Sequence, residues 1–166
     1  MSDAEVLGEG RHLRLVKQGR WEFVERKGIA GIVVILAITD DDEIVCVEQE
    51  RPAVGKRVAD LPAGLVEEGE ELEEAAKREL EEEAGFKAAR WERIGNATPS
   101  PGLSAEVVTF FHAHGLLRVG PGGGDESEEI DVHLVPRSGL KMWLSRTQAR
   151  GVLIDAKLYA GLYFAG

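Results

Sequence analysis

The sequence predicts an α/β domain led by a small β-hairpin unit, and three features carry that prediction. Gly31 to Thr39 is a continuous apolar run, the pattern of a strand buried on both faces. Glu70 to Ala84 is filled with Glu, Ala, Leu, Lys and Arg, all good helix formers, and Gly85 follows it as a left-handed stop. Leu13 to Arg26 reads as two short strands about a Lys17-Gln18-Gly19-Arg20 turn. The expected division is residues 1–28 for the N-terminal strands and 29–166 for the main domain.

In chain order, the first ten residues are small and polar and are expected to be mobile. After the buried run, the acidic turn Asp40-Asp41-Asp42-Glu43 leads into a returning strand, Ile44 to Gln49. Arg51 to Gly69, with Pro52, Gly55, Pro62, Gly64 and Gly69, reads as loop. Past the helix come the loop Thr98-Pro99-Ser100-Pro101-Gly102 and a strand from Val107 to His114. Gly120 to Glu129, Gly-rich and acidic, is expected to be a flexible loop. Ile130 to Val135 is a strand with Ile130, Val132 and Leu134 on one face and His133 on the polar one. Leu140 to Arg150 and Asp155 to Phe164 close the chain as helices, with Asp155 an N-cap and Trp143, Leu140 and Leu144 spaced as a buried face.

Composition bounds the function. The 166 residues suit one domain, and 43% hydrophobic content is enough for a core. Against 20 basic residues stand 30 acidic ones, a net charge of −10, which opposes nucleic-acid binding and docking on an anionic membrane. The longest apolar stretch, Ile29 to Ile38, has about half the length of a membrane span. With no signal peptide and a single cysteine, Cys46, a cytoplasmic protein with neither disulfide nor thiolate metal site is expected.

The helix is unusual in where its carboxylates fall. At about 100° per residue, Leu72, Ala75 and Ala76 lie within roughly 60° of Glu79. Glu82 and Glu83 lie within the same range, whereas Glu74, Lys77 and Glu81 point away. Most acidic runs are solvated surfaces, which accounts for Glu71, Glu73, Glu74 and Glu81 but not for carboxylates on the packing face. At about 6 Å and an effective dielectric near 20, each such pair repels by roughly 3 kcal/mol. Protonation can relieve that, and bound divalent cations relieve it better, since Mg²⁺ prefers oxygen ligands and bridges carboxylates to phosphates.

The spacing extends beyond the helix: Gly64, five residues, Glu70, seven residues, then Arg78-Glu79-Leu80-Glu81-Glu82-Glu83-Ala84-Gly85-Phe86. This resembles the Nudix box at every fixed position, a chance match on the order of one in 10⁵. The resemblance implies an α/β/α sandwich around a mixed sheet and Mg²⁺- or Mn²⁺-dependent hydrolysis of a nucleoside diphosphate linked to another moiety. It makes Glu79, Glu82 and Glu83 metal ligands, with the Ala63 carbonyl a further one. Arg78 would brace the carboxylates, and Glu70 would hold the turn, with Gly64 and Gly85 closing the box.

Residues outside the box are similar to the ADP-ribose pyrophosphatase branch. They are Pro101 in its Ser-Pro-Gly loop, Val47-Glu48-Gln49-Glu50-Arg51, Leu61-Pro62-Ala63-Gly64, the acidic Asp125-to-Val132 segment and Ile154-Asp155-Ala156-Lys157. The implied substrate is ADP-ribose or a related nucleoside diphosphate sugar, giving AMP and ribose 5-phosphate. Alternatives are GDP-mannose, another nucleotide sugar, a dinucleoside polyphosphate, or a non-catalytic nucleotide sensor. The intact glutamate set, and 166 residues with little room for a partner-binding domain, oppose the sensor. The branch also implies a homodimer built through the N-terminal strands.

Arg51 presents a planar fork for a diphosphate or a base. Trp21 suits stacking on adenine, or else core or dimer packing. Glu106 suits a ribose hydroxyl or the metals, or is an ordinary loop carboxylate. The general base implied by the branch is Glu126 on the acidic loop, with Glu128, Glu129 and Glu82 as alternatives. His112 and His114 share a strand face without a third ligand nearby, Ser100 and Ser104 have no adjacent histidine, and Cys46 reads as core.

Overall fold

The structure is a computed structural model that describes residues 4–124 and 129–165. Its strands are β1 (Glu5–Glu9), β2 (Leu13–Gln18), β3 (Trp21–Arg26), β4 (Ile29–Ala37), β5 (Glu43–Arg51), β6 (Lys56–Asp60), β7 (Ala63–Glu67), β8 (Phe86–Ala97), β9 (Val108–Arg118), β10 (Ile130–Pro136) and β11 (Leu153–Ile154). Its α-helices are α1 (Leu72–Ala84), α2 (Leu140–Ala149) and α3 (Ala156–Phe164). They form an α/β/α sandwich. One mixed sheet runs β7-β4-β9-β8, with β4 and β9 parallel; a second runs β10-β5-β6-β11, with β6 and β11 parallel. A bridge between Ile38 and Ile44 joins them at the β4–β5 turn.

The apolar run of β4 is explained by its two neighbours. Val33, Ile35 and Ala37 pack with Ala75, Ala76, Leu80 and Ala84 of α1. Val34 and Leu36 pack on the other side with Leu61, Phe110 and Leu158 of α3, and Trp143 and Leu144 of α2 join that cluster. A strand with a helix on each face has no polar side to show. Cys46 is fully buried in the second cluster, and burial pushes its thiol up to about 12.

Several expectations are corrected. The N-terminal segment is no mobile tail before a hairpin: Glu5–Glu9 pairs with β2, making a three-stranded antiparallel sheet. Arg51 to Gly69 is not loop, because it holds β6 and β7; Pro62 and Gly64 lie at their junction and at the first turn of β7, where the ladder tolerates them. Phe86–Ala97, a strand that no clean alternation announces, pairs with β9 through a bulge at Arg93/Gly95. His133 is half-buried on its polar face, with its ring 5.6 Å from that of Trp143 and its Nε2 3.5 Å from Glu48. Leu134, at the far end of the strand, is the exposed one.

Glu48 is only 2% exposed and is held by Arg57 at 2.9 Å and Arg150 at 2.8 Å. Burial alone would raise its pKa, but the hydrogen bonds from Arg150 and Arg57 outweigh it and the carboxyl sits below its ordinary 4.5. A lowered folded pKa contributes stability above the unfolded value and loses it as pH falls. Urea midpoints are therefore expected to drop on acidification below about 4.5, with a shallower drop in Glu48→Gln than in wild type over that range.

Candidate active site

A cleft of about 1020 Å³ is bordered by β7, the face of α1 that carries Arg78, Glu79, Glu82 and Glu83, the β3–β4 connection, Pro99, Glu106 and the start of α3. Its floor is set by how tightly β7 approaches α1. A Cβ on Gly64 would stand 1.9 Å from the Glu79 carboxyl group, so no side chain can share that space with Glu79 in its present position. One residue earlier, the Ala63 N–H donates to Glu83 Oε2 at 2.8 Å.

Arg78 organises the other carboxylates. Its Nε lies 3.0 Å from Glu70, its Nη1 lies 2.7 Å from Glu79 and 3.1 Å from Glu82, and its Nη2 donates to the Leu65 carbonyl at 3.0 Å. Glu70 also accepts from the Glu67 N–H at 2.9 Å, which closes the turn from β7 into α1. The Arg78 hydrogen bond, opposed by burial and helped by that N–H, holds the Glu70 carboxyl below the usual range.

The three helix carboxylates differ in burial. Glu83 is 4% exposed and Glu79 13%, as side chains on a packing stripe must be. Glu82 is 54% exposed, so it does not continue that stripe; its offset from Glu79 on the wheel turns it to the open side of the cleft. Among the described residues no three His, Cys, Asp or Glu side chains converge on one point. Glu79 and Glu82 face the Arg78 guanidinium, and Glu83 faces a backbone N–H. The donor set is nevertheless all oxygen and borders one cleft, which is the chemistry a hard divalent cation requires.

The end of α1 is capped by the chain that follows β9. Gly85 is left-handed (φ 73°), and its missing Cβ would meet the Gly120 carbonyl oxygen at 2.3 Å. The Gly123 and Gly124 N–H groups donate to the Glu83 and Glu82 carbonyls at 2.9 and 3.0 Å. Gly123 and Gly124 are thus docked on the helix bearing the carboxylates rather than free as a flexible loop would be. Glu126, expected as general base, and Glu128 lie outside the described residues.

Of the expected substrate contacts, Arg51 and Glu106 line the cleft and Trp21 does not. Trp21 is 57% exposed on the N-terminal sheet, with Arg20 over its ring. Glu106 pairs with Arg26 at 2.6 Å, tying the Ser-Pro-Gly loop to β3. Arg51 has no carboxylate partner among the described residues, unlike Arg26, Lys27, Arg78 and Lys157, the cleft's other cations. His112 and His114 lie outside the cleft with ring centres 3.8 Å apart. Sequence reading missed Asp155 and Lys157 as cleft residues; an N-cap followed two residues later by a lysine was the available signal.

A family model described as "NUDIX domain" matches residues 29–160. An ADP-ribose pyrophosphatase of Bacillus subtilis is 42% identical over 101 residues, 61% of this chain and 52% of that protein. A methanol dehydrogenase activator of Bacillus methanolicus is 38% identical over 103 residues, 61% of this chain and 56% of that protein. The chain thus spans little more than half the length of these two relatives. A mouse ADP-sugar pyrophosphatase is 33% identical, covering 96% of this chain and 84% of the relative. A solved structure described as an ADP compounds hydrolase shares the fold, with a TM-score of 0.76 at 19% identity over 98% of this chain and 89% of that one.

The two glycines separate positioning from folding. Gly64→Ala meets the end of a flexible side chain, so it is expected to melt within about 1 kcal/mol of wild type with Glu79 displaced. Gly85→Ala meets backbone at a positive φ and is expected to cost at least about 1–2 kcal/mol, or several degrees of Tm, in thermal melts.

Proposed function

The chain belongs to the Nudix family, and from that premise we propose that it is a divalent-metal-dependent pyrophosphohydrolase. Its substrate in this reading is ADP-ribose or a closely related nucleoside diphosphate sugar, with AMP and ribose 5-phosphate as products from ADP-ribose. The observation that carries the activity is the set Glu79, Glu82 and Glu83 on one cleft, braced by Arg78 and closed in by Ala63 and Gly64. The names of the Bacillus subtilis and mouse relatives support the substrate class.

Glu79, Glu82, Glu83 and the Ala63 carbonyl would hold Mg²⁺ or Mn²⁺. When bound, the cation neutralises diphosphate oxygens and lowers the pKa of the attacking water. Arg78 holds Glu79 and Glu82 together and oriented. Arg51, with its fork uncommitted among the described residues, is suited to the diphosphate. Glu106, paired with Arg26, would accept from a ribose hydroxyl. Glu126 would take the proton from water, with Glu82, the exposed carboxylate, as the alternative base.

The reading extends to a homodimer through the N-terminal sheet. Val6, Leu7, Leu13, Leu15 and Trp21 are all exposed there, apolar side chains that a second copy of the sheet would cover. Light scattering should give twice the chain mass. No helix among the described residues is long and apolar enough to cross a membrane.

With Mg²⁺, the protein is expected to release AMP from ADP-ribose and to prefer it by kcat/KM over GDP-mannose and dinucleoside polyphosphates; no AMP at micromolar enzyme would overturn the activity. Glu82→Gln and Glu83→Gln are expected to cut kcat by orders of magnitude with the fold intact by circular dichroism. Glu126→Gln is expected to lower kcat by roughly 10²–10⁴-fold with little change in KM. A loss under about tenfold there, beside a large loss in Glu82→Gln, would move the base to the helix.

A further inference from the structure

Beneath the cleft lies a charged group that neither the carboxylate cluster nor the substrate contacts include. Asp60, at the end of β6, is 4% exposed. Its Oδ1 accepts from the Leu61 N–H at 2.8 Å, and its Oδ2 pairs with Lys157 Nζ at 2.8 Å. The Lys157 side chain is 19% exposed and also pairs with Asp155. Burial pushes Asp60 up to about 6, with the Lys157 charge opposing it. A buried ion pair of this kind is weak support for stability, because a packed apolar pair does as well or better. Its placement points to a different role.

The segment from Ala59 to Gly64 is clamped at every residue. The Asp155 N–H donates to the Ala59 carbonyl at 2.9 Å. Asp60 is held by Lys157, and Leu61 is fully buried against Gly161 of α3, where a Cβ would stand 2.5 Å from Leu61 Cδ1. The Pro62 carbonyl accepts from the Ile35 N–H at 2.8 Å. Ala63 reaches Glu83, and Gly64 abuts Glu79. A line of rigid contacts therefore runs from α3 through Asp60 to the backbone that orients two of the cleft carboxylates.

We propose that Lys157 is a positioning residue: through Asp60 and Asp155 it locks the Leu61–Gly64 turn against α3, and so sets where Ala63 and Glu83 present oxygen to a divalent cation. This rests on reading the cleft as metal-dependent. Groups that orient a metal's ligands typically change metal affinity or activity by about 10–100-fold when removed.

The test is Mn²⁺ binding to the whole chain, read from the electron paramagnetic resonance of free Mn²⁺, beside kcat and KM for ADP-ribose. Lys157→Met is expected to weaken Mn²⁺ binding by about tenfold or more and to lower kcat by about 10–100-fold, with KM nearly unchanged. Lys157→Arg, which keeps the charge, is expected to recover most of both. Should Lys157→Met fail to fold, Asp60→Asn decides in its place, since it keeps an acceptor for the Leu61 N–H and replaces the oxygen that pairs with Lys157 by an uncharged amide nitrogen. A folded Lys157→Met, or Asp60→Asn in its stead, with wild-type Mn²⁺ binding and kcat overturns the proposal, even if its Tm falls. Wild-type protein that binds Mn²⁺ but releases no AMP overturns the activity reading alone, and the Mn²⁺ comparison still decides this one. Wild-type protein that binds no Mn²⁺ overturns both.

Discussion

Arg78 is where the structure resolves its main conflict. Three carboxylates crowd the end of α1, and one guanidinium reaches two of them, together with Glu70 in the turn before the helix and the Leu65 carbonyl of β7. Five donors in a rigid plane allow a single side chain to make all four contacts, which an ammonium on a flexible stem does not do with the same geometry. The interaction also carries the fold: it fastens strand, turn and helix at the point where Gly64 lets backbone approach a carboxylate. Acidic residues that repel one another would otherwise splay this corner apart.

Both ends of α1 are fixed by backbone as much as by side chains. The turn before it is closed by reciprocal bonds between Glu67 and Glu70. The end after it is closed by Gly85 and by the glycines from Gly120 to Gly124, whose N–H groups satisfy carbonyls that a helix terminus leaves open. A Cβ on Gly122 would lie 2.6 Å from the Glu83 carbonyl oxygen, so this strap is as close-fitting as the Gly64 contact. The chain entering the acidic loop is thereby mounted on the same helix that presents the carboxylates.

What the sequence made legible follows from local physics. The doubly buried β4 shows as an unbroken apolar run, and α1 shows through propensity, its glycine stop and the face its glutamates share. The box spacing brought Gly64, Glu70, Arg78 and Glu79 to one corner, and the contacts there follow it in detail. β6 and β7 were not legible, because prolines and glycines at their ends outweigh five-residue strands in any local reading. β8 alternates poorly because its bulge shifts the period midway. Glu82 was misplaced because a wheel gives angle but not where the neighbouring strand ends. Asp60 and Lys157 lie 97 residues apart, brought together by the parallel pairing of β11 with β6 and the packing of α3, and no local pattern encodes that.

The cleft, like the whole chain, is acidic. The chain carries −10 overall, and the cleft is walled by Glu67, Glu68, Glu79, Glu82, Glu83, Glu106 and Asp155. A diphosphate approaching such a surface meets repulsion unless cations intervene, and four of the cleft's five Lys and Arg side chains are already committed to carboxylates. Arg51 alone stands without such a partner among the described residues, and one guanidinium cannot balance the wall. In the function proposed above, divalent cations would supply the missing balance and make the repelling carboxylates part of an anion's binding surface.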